Sequence, residues 1–463
     1  MSTDRRKFLK HLGTSVLLTS ASLTSLAAKE EHEQRTLQAE KRITPNDKIR
    51  IATIGMGIMG FNDTRAALSV PGVEMVAACD LYKGRLDRAK EVYGAGLFTT
   101  MDYREILDRK DIDAVVIATS DNWHSQIAID AMRKGKAVYS EKPMVHQISQ
   151  GLAEIKVQKE TKMVMQVGSQ RVSSIAYKKA KEMYDAGEIG KINSIEASFN
   201  RQSALGAWQY TIPLDASVQT VDWARYQSIA KTKYDYDANR FFRWRNYREY
   251  GTGVAGDLFV HLLSGIHFIT GSKGPEKIYS IGDLAYWKDG RNVPDVMSAV
   301  IHYGETKEHP AFQVTLRVNF ISGQGERSST RITGSEGVID MDDESGFTIH
   351  KNKMPEAPGI GGWDSLFTYT EAQQKALMDD YNKRYTEVQR QRQRFDDVSY
   401  RVPDGYNTSN EHFANFFDSV RTGKPVVEDA VFGFRAAAPC LACNDSYFQN
   451  KVIHWDAENM KIV

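Results

Sequence analysis

Two short motifs carry residues whose types and spacing suit dinucleotide chemistry. Gly55, Gly57 and Gly60 follow an apolar run at residues 48–54 and precede a helical pattern. A turn of this kind lets the backbone approach a pyrophosphate, with the phosphates at the positive end of the helix. The second motif, Glu141-Lys142-Pro143, follows another apolar run and supplies a cation. Together they predict a bound dinucleotide with a lysine beside it that stabilises a developing alkoxide.

An acidic residue stands where the adenosine ribose of such a dinucleotide is expected. Asp80 ends a second strand-like run at residues 73–79, and a carboxylate there accepts hydrogen bonds from ribose hydroxyls. This position favours NAD. NADP stays an alternative, because Lys83 and Arg85 follow closely and are suited to a 2′-phosphate.

A further pair of residues suits proton transfer. Asp257 and His261 are four residues apart behind a glycine-rich stretch, so a helix that begins near Gly256 places both on one face. An imidazole beside a carboxylate can accept a hydroxyl proton. The same spacing also suits a purely structural hydrogen bond. His267 is expected only to pack.

The elements that position these motifs alternate between strands and helices. Strand-like runs at residues 112–119, 137–140 and 163–168, with a helix at 125–133, continue the pattern begun at the glycine motif. This rhythm predicts an α/β fold with an N-terminal Rossmann domain, a doubly wound parallel sheet, over residues 48–170. Ligands of such sheets bind beyond the carboxyl ends of the strands, where both motifs fall.

From Ile192 onward strand-like runs dominate. Runs at 276–281, 296–301 and 312–318 follow one another without helices, which predicts a C-terminal α/β domain with an open, mostly antiparallel sheet. We assign this substrate-binding domain to residues 171–463, with the C-terminal segment returning toward the Rossmann domain. The charged stretch at 368–397 is expected to be a solvated helical insertion.

The N-terminus predicts export. Arg5 and Arg6 precede a modestly apolar stretch that ends in small residues, so residues 1–28 resemble a twin-arginine signal and 29–47 a polar linker. The export machinery is then a partner and the location is periplasmic or otherwise exported. The stretch is too short and too polar for a stable membrane anchor.

Composition narrows the remaining classes. The chain has 463 residues, 41% of them hydrophobic and 26% charged, which suits two globular domains. A net charge of +1 gives no support for a nucleic-acid partner. Cys440 and Cys443 lie in an apolar run without a second cysteine pair, so they are interpreted as core residues and no metal site is expected.

The order and spacing of these motifs resemble the Gfo/Idh/MocA family, the relatives of glucose-fructose oxidoreductase and inositol 2-dehydrogenase. The resemblance extends over nearly the whole chain after the signal and includes the strand end at 118–124 and the stretch 333–337. It implies a nicotinamide facing a cleft for sugars or cyclitols. Lys142 would lie beside the nicotinamide, with Asp257 and His261 completing the proton-transfer group. We favour His261 as the base and Lys142 as its electrostatic partner.

The remaining site assignments follow from this resemblance and from residue type. Cofactor contacts are expected from Gly55, Gly57, Ile58, Met59, Gly60, Asp80, Thr119, Asn122, His124, Glu141 and Lys142. Substrate contacts are expected from aromatic and arginine side chains that suit sugar rings and hydroxyls, namely Arg171, Trp208, Tyr210, Arg243 and Trp244. Interdomain packing explains the second set equally well.

Three classes of function stay open. The first is an NAD(P)-dependent oxidoreductase acting on a secondary hydroxyl of a sugar, cyclitol or glycoside. An exported enzyme meets no obvious pool of free nicotinamide, so its cofactor is expected to be tightly held and recycled in place. The second is a glycoside-cleaving enzyme that works by oxidation, elimination and reduction; the exported α-N-acetylgalactosaminidases of the superfamily lack the Glu-Lys-Pro motif. The third is a non-catalytic sugar or redox sensor. An exposed face of the second sheet would suit a homo-oligomer.

Overall fold

A computed structural model describes residues 48–463. The predicted signal at 1–28 and linker at 29–47 lie outside the described residues and stay predictions. Within residues 48–463, no helix is both long and apolar enough to cross a membrane.

The first sheet is parallel and has six strands in the order β3-β2-β1-β4-β5-β6. Its strands are β1 (Ile49–Ile54), β2 (Val73–Cys79), β3 (Phe98–Thr100), β4 (Ala114–Ile117), β5 (Ala137–Ser140) and β6 (Met165–Val167). The helices between them are α1 (Ile58–Leu68), α2 (Lys83–Tyr93), α3 (Tyr103–Asp108), α4 (Asp121–Arg133) and α5 (Ile148–Thr161). This strand order is that of a Rossmann sheet, and it confirms the predicted doubly wound fold.

Apolar side chains on both faces explain why these runs form central strands. In β1, Ile51 lies opposite Met75 of β2 on one side and Ala114 of β4 on the other. Strands covered by helices on both faces read as continuous apolar runs, which is the signal that the sequence carries here. The ends of the elements were less predictable than the strands themselves. Helix α4 begins at Asp121 and not at the predicted Ser125.

The second sheet has ten strands in the order β14-β13-β12-β11-β7-β10-β9-β8-β15-β16. Its strands are β7 (Ile192–Asn200), β8 (Lys277–Asp283), β9 (Val296–Tyr303), β10 (Phe312–Asn319), β11 (Arg327–Gly334), β12 (Gly337–Met341), β13 (Gly346–Lys351), β14 (Val398–Arg401), β15 (Ile453–Asp456) and β16 (Lys461–Ile462). Strands β7 and β10 pair in parallel and the others antiparallel, which confirms the predicted mostly antiparallel sheet.

The second domain also contains helices, and the longest of them packs on one face of this sheet, against β8 and β15. The helices are α6 (Ile175–Asp185), the short α7 (Trp223–Tyr226) and α8 (Ala238–Phe242), α9 (Val260–Thr270), α10 (Glu371–Arg384), α11 (Glu387–Arg390), α12 (Thr408–Thr422) and α13 (Ala430–Gln449). Helices α10 and α11 bury no residue, as expected of a solvated insertion. Cys440 and Cys443 are buried and unbridged in α13.

The C-terminal helices pack on the Rossmann domain. Phe413 of α12 stacks on Tyr139 of β5 with ring centroids 4.1 Å apart. Phe434 of α13 lies so close to Gly151 of α5 that a Cβ there would come within 2.1 Å of the ring. These contacts pack α12 and α13 of the second domain against strand β5 and helix α5 of the first domain.

Candidate active site and cofactor cleft

The glycine turn after β1 is built for close approach. Gly55 has φ +94°, and a Cβ on it would lie 2.5 Å from the carbonyl oxygen of Ala118. A Cβ on Gly60 would lie 1.9 Å from the carbonyl oxygen of Gly55, so only glycine lets α1 start this close to the strand. Gly57 instead faces open space, with Arg85 as its nearest neighbour at 3.8 Å. The turn therefore leaves a backbone surface at a helix N-terminus free for a pyrophosphate.

Asp80 lies at the end of β2, on the wall of the same cleft. Its carboxylate accepts hydrogen bonds from the backbone N–H groups of Met56 (2.7 Å) and Tyr82 (2.8 Å). Arg85 approaches the same carboxylate at 3.5 Å and lies over the ring of Phe242, 5.3 Å from its centroid. Arg85 is thus paired with Asp80. This pairing and the two backbone hydrogen bonds fix the Asp80 carboxylate in the position expected for a ribose acceptor.

Lys142 is held by Asp257 from the second domain. Its Nζ donates to the Asp257 carboxylate and to the Asp257 carbonyl, each at 2.9 Å, and the lysine is only 8% exposed. Arg245 Nε donates to the same carboxylate oxygen at 3.1 Å. Burial opposes ionisation of Asp257, but Lys142 and Arg245 outweigh it and hold the Asp257 pKa below its usual range.

A π-helical turn, Ala255–Phe259, directly precedes α9 and carries Asp257. The chain is already helical at Gly253, three residues before the predicted start at Gly256. The extra residue of a π turn shifts side chains relative to a regular helix, and such turns are frequent at functional sites. Here the turn presents both the carbonyl and the carboxylate of Asp257 to one ammonium group.

His261 lies one turn beyond Asp257 and contacts the ring of Phe199, with centroids 6.3 Å apart. Within the described residues, no hydrogen bond joins it to Asp257, whose carboxylate is occupied by Lys142 and Arg245. Burial, then Lys142, Arg171 and Arg201, lower the His261 pKa well below its ordinary value, and Asp257 opposes them. The imidazole is therefore neutral near pH 7, which is the form that accepts a proton.

Glu141 and His124 line the cleft around the strand ends. Burial raises the pKa of Glu141 to about 7, although Lys142 lowers it, and Gln170 donates to its carboxylate at 3.3 Å. His124 Nδ1 donates to the Pro143 carbonyl at 2.9 Å, which fastens α4 to the Glu-Lys-Pro turn. Burial lowers the His124 pKa, so this contact is made by a neutral ring.

A single cleft gathers most of the residues singled out from the sequence. Those that line it are Gly55, Gly57, Ile58, Met59, Asp80, Thr119, His124, Glu141, Lys142, Tyr210 and Trp244. Gly60 packs behind the turn. Asn122 accepts a hydrogen bond from Ser120 at 2.8 Å and faces a neighbouring polar groove. The structure therefore brings the two motifs into one site.

Three predicted substrate residues are not brought to this cleft. Trp208 is buried with φ +65° and packs edge-on against Phe320, with centroids 4.8 Å apart. Arg243 donates to the carbonyl of Tyr210 at 2.8 Å. Arg171 is buried against β11, where its Nη2 donates to Ser328. The aromatic and arginine content of a stretch did not by itself distinguish the residues that pack in the core from those that line the cleft.

The predicted catalytic residues Asp257 and His261 do not line this cleft either. Asp257 reaches it through Lys142 and Arg245, which both line it.

Residues 215–252, here called the clasp, cross over the cleft and were not identified from the sequence. The clasp is joined to the loop after β2, because Asp222 N–H donates to the Leu81 carbonyl (2.8 Å) and Lys83 N–H to the Thr220 carbonyl (2.9 Å). Tyr82 adds a side-chain bond, donating its hydroxyl to Asp215 at 2.6 Å.

The other side of the clasp is joined to the start of α4. Asn122 N–H donates to the Tyr250 carbonyl at 3.2 Å, and Trp123 Nε1 donates to the Tyr226 carbonyl at 3.0 Å. The clasp residues that line the cleft are Arg225, Tyr226, Phe241, Phe242, Trp244 and Arg245. Their dense aromatic and arginine composition was the one available signal, and it does not specify which of them face inward.

The cleft fits a dinucleotide on the evidence of its own residues. The backbone at Gly57 suits a pyrophosphate, Asp80 suits a ribose, and Lys142 lines the same cleft at the end of another strand. The aromatic side chains of the clasp would cover the rings of the dinucleotide.

Two family models match the chain over about half its length. The GFO/IDH/MocA oxidoreductase model, an NAD-binding Rossmann fold, matches residues 49–169, and the GFO/IDH/MocA C-terminal domain matches residues 227–340. The chain belongs to the Gfo/Idh/MocA family. Its cofactor is accordingly NAD.

Curated relatives match over part of the chain. The scyllo-inositol 2-dehydrogenase (NAD(+)) of Bacillus subtilis is 32% identical over 185 residues, 39% of this chain and 54% of the relative. An α-N-acetylgalactosaminidase of Shewanella oneidensis is 33% identical over 156 residues, 30% of this chain and 33% of the relative. The chain thus spans about half or less of the length of these relatives.

Solved structures share the fold of both domains. A levoglucosan dehydrogenase in complex with NADH and levoglucosan aligns with a TM-score of 0.61 over 88% of this chain and 99% of its own, at 17% identity. The apo scyllo-inositol dehydrogenase of Lactobacillus casei aligns with a TM-score of 0.59 over 88% and 98%, at 18% identity. At such identities the likeness concerns the fold alone.

Proposed function

We propose that the protein is an NAD-dependent oxidoreductase that acts on a secondary hydroxyl of a sugar, cyclitol or glycoside. The observation that carries this proposal is Lys142, a nearly buried ammonium group held by Asp257 on the wall of a cleft that fits a dinucleotide. A cation fixed beside a nicotinamide site has a clear use, because alcohol oxidation leaves negative charge on the substrate oxygen. The dehydrogenase names of the relatives agree with it.

In the proposed reaction the hydride goes to the cofactor, and side chains of this protein handle the proton and the charge on the substrate oxygen. A bound oxidised nicotinamide would supply the acceptor for the hydride that leaves the substrate carbon with its electron pair. Lys142 would donate a hydrogen bond to the substrate oxygen, and His261 would take the hydroxyl proton as that O–H bond breaks. Asp257, itself paired with Arg245, keeps Lys142 in place. Lys142 itself stays the alternative base.

We further propose that NAD is retained and reoxidised in place. The clasp supports retention, since it is hydrogen-bonded to both sides of the cleft and would have to open before a nucleotide leaves.

Export through the twin-arginine route is the second argument for retention, because this route carries folded, cofactor-loaded proteins. Replacing Arg5 and Arg6 by lysine should leave the protein in the cytoplasm on fractionation.

A second candidate function is glycoside cleavage by oxidation, elimination and reduction. It is favoured by the α-N-acetylgalactosaminidase relative from Shewanella oneidensis. The same cleft would serve it: oxidation to a ketone acidifies a neighbouring C–H, and loss of that proton expels the glycosidic oxygen, which leaves as the protonated alcohol. Water then adds across the resulting C=C bond, and the returned hydride reduces the ketone to the alcohol. Lys142 in the Glu-Lys-Pro motif makes the dehydrogenase the preferred proposal.

One experiment tests both candidates. Protein purified without added nucleotide is denatured and the released nucleotide is identified; intact protein is then mixed with sugars, cyclitols and nitrophenyl glycosides. We expect bound NAD, a rise in reduced-nicotinamide absorbance with one sugar class, and loss of that signal in Lys142→Met. Release of nitrophenol without net reduction would support glycoside cleavage. Bound NAD that no compound reduces or turns over would contradict both.

A further inference from the structure

The inner face of the second sheet carries two positively charged side chains near His261. Phe199 is the last residue but one of β7, and Arg201 follows two residues later on the same face, since side chains alternate along an extended chain. The Arg201 guanidinium lies over the Phe199 ring, 5.1 Å from its centroid. The other neighbour of that ring is His261. Arg201 and His261 therefore flank one aromatic ring.

Arg171, which follows the last strand of the first domain, reaches the same face of the second sheet. Its Nη2 donates to Ser328 at 2.8 Å, and Ser328 lies directly opposite Phe199 in the β7–β11 pair. Asp343 also accepts from Nη2, and Glu344 lies 3.9 Å from Nε. The side chain is 3% exposed, yet its Nη1 is buried without a hydrogen-bond partner in the described structure.

Arg201 is less satisfied still. Its Nε is buried without a partner, and within residues 48–463 no ion pair joins its guanidinium to a carboxylate, although Glu326 lies nearby. A buried polar group that forms no hydrogen bond is costly. Both guanidinium groups also lie close enough to His261 to lower its pKa. An anion bound near both would accept hydrogen bonds from the unpartnered Nη1 of Arg171 and Nε of Arg201.

We propose that Arg171 and Arg201 bind an anionic group of the substrate, so that the protein acts on acidic sugars such as uronates. This inference rests on the proposed function and names its substrate class. A guanidinium group matches carboxylate, sulfate and phosphate oxygens with paired, charge-assisted hydrogen bonds. His261 and Arg201 both contact Phe199, so a sugar anchored at the arginines by its acid group would bring its ring hydroxyls near the proposed base.

The test uses the NADH-loaded protein, which binds sugars without oxidising them. Calorimetry compares glucose with glucuronate, glucose 6-sulfate and glucose 6-phosphate in wild type and Arg201→Gln. We expect at least one acidic sugar to bind about tenfold or more tighter than glucose, and Arg201→Gln to remove most of that preference, about 10- to 100-fold. The three acids distinguish a carboxylate site from a sulfate or phosphate site.

Arg317→Gln is the matched control. Arg317 lies on β10 of the same sheet, exposed on the opposite face, so its loss changes the net charge equally but should leave the preference intact. Arg171→Lys keeps the charge but loses the planar fork, and a partial loss of preference is expected.

Two results would overturn the inference: equal binding of glucose and all three acids by wild type, or equal weakening of glucose and acids in Arg201→Gln. The proposed function fails separately. If acidic sugars bind with the expected preference but no sugar reduces bound NAD, the anion site stands and the oxidoreductase does not. If neutral sugars alone reduce NAD, the oxidoreductase stands and the anion site does not.

Discussion

Asp257 illustrates what could and could not be inferred for single residues. Its spacing to His261 indicated a carboxylate–imidazole pair, because only neighbours along the chain are visible in a sequence. In the structure its carboxylate pairs with Lys142, 115 residues away, and with Arg245. The motifs placed Lys142 at the cleft, since a strand end fixes where a following residue goes. Its partner depended on a domain contact that leaves no local pattern.

The Lys142–Asp257 pair yields a prediction for both catalysis and stability. Lys142→Met should lower kcat by about 10²- to 10⁴-fold with bound NAD retained, because only the alkoxide partner is lost. Asp257→Asn should also lower kcat and should destabilise the fold by about 3–5 kcal/mol, since Lys142 and Arg245 lose their buried counter-charge. Steady-state rates and denaturant unfolding measure the two effects.

Arg331→Gln serves as the control for this pair. It breaks an exposed ion pair with Asp340 on the second sheet and should change stability by less than about 1 kcal/mol. Full activity in Lys142→Met would remove the catalytic assignment, whatever happens to stability.

Among elements, regular strands were predictable and irregular segments were not. The mostly apolar runs predicted β2 and β5 with their observed bounds, because strands of a parallel sheet are buried on both faces. The clasp has two short α-helices and one 3-10 turn, and its position depends on backbone hydrogen bonds to the loop after β2 and to the start of α4. Such bonds use groups that every residue has, so nothing in side-chain order predicts them.

The clasp predicts how fast NAD leaves. Tyr82 lies outside the lining of the cleft and bonds Asp215 of the clasp, while its ring packs edge-on against Phe242 at 5.2 Å. Tyr82→Phe keeps the ring and removes the bond, which should speed NAD release about three- to tenfold, within the range for the net contribution of a typical hydrogen bond. Trapping released NAD with a coupled dehydrogenase measures the rate.

Tyr93→Phe is the matched control, since Tyr93 ends helix α2, which begins directly after Tyr82, and its hydroxyl donates to the Phe61 carbonyl at 3.5 Å, away from the clasp. An unchanged release rate in Tyr82→Phe, or an equal change in both variants, would show that the clasp does not govern release.

At the scale of the whole molecule, the second sheet exposes an apolar strip on the face away from the helices. Tyr279 and Val300 lie opposite each other in the β8–β9 pair, and Ile281 lies two residues further along β8. They are 40%, 53% and 62% exposed, respectively. Contiguous exposed apolar residues on a sheet face are typical of a protein–protein contact. We therefore predict a homo-oligomer that buries this strip against a second copy of the chain.

Light scattering on the NAD-loaded protein should give a mass of at least twice 52.2 kDa. The double variant Ile281→Lys with Val300→Lys should shift the mass toward the monomer, because it places two like charges in each copy of a self-complementary surface. Leu377→Lys adds a charge at an exposed site of α10 and should leave the mass unchanged. If the wild type is a monomer, or if the double variant keeps the oligomer, this face is not the contact. Activity that falls together with the oligomer would further show that the site depends on assembly, since the strip lies on the opposite face of the sheet from Phe199, Arg201 and Ser328.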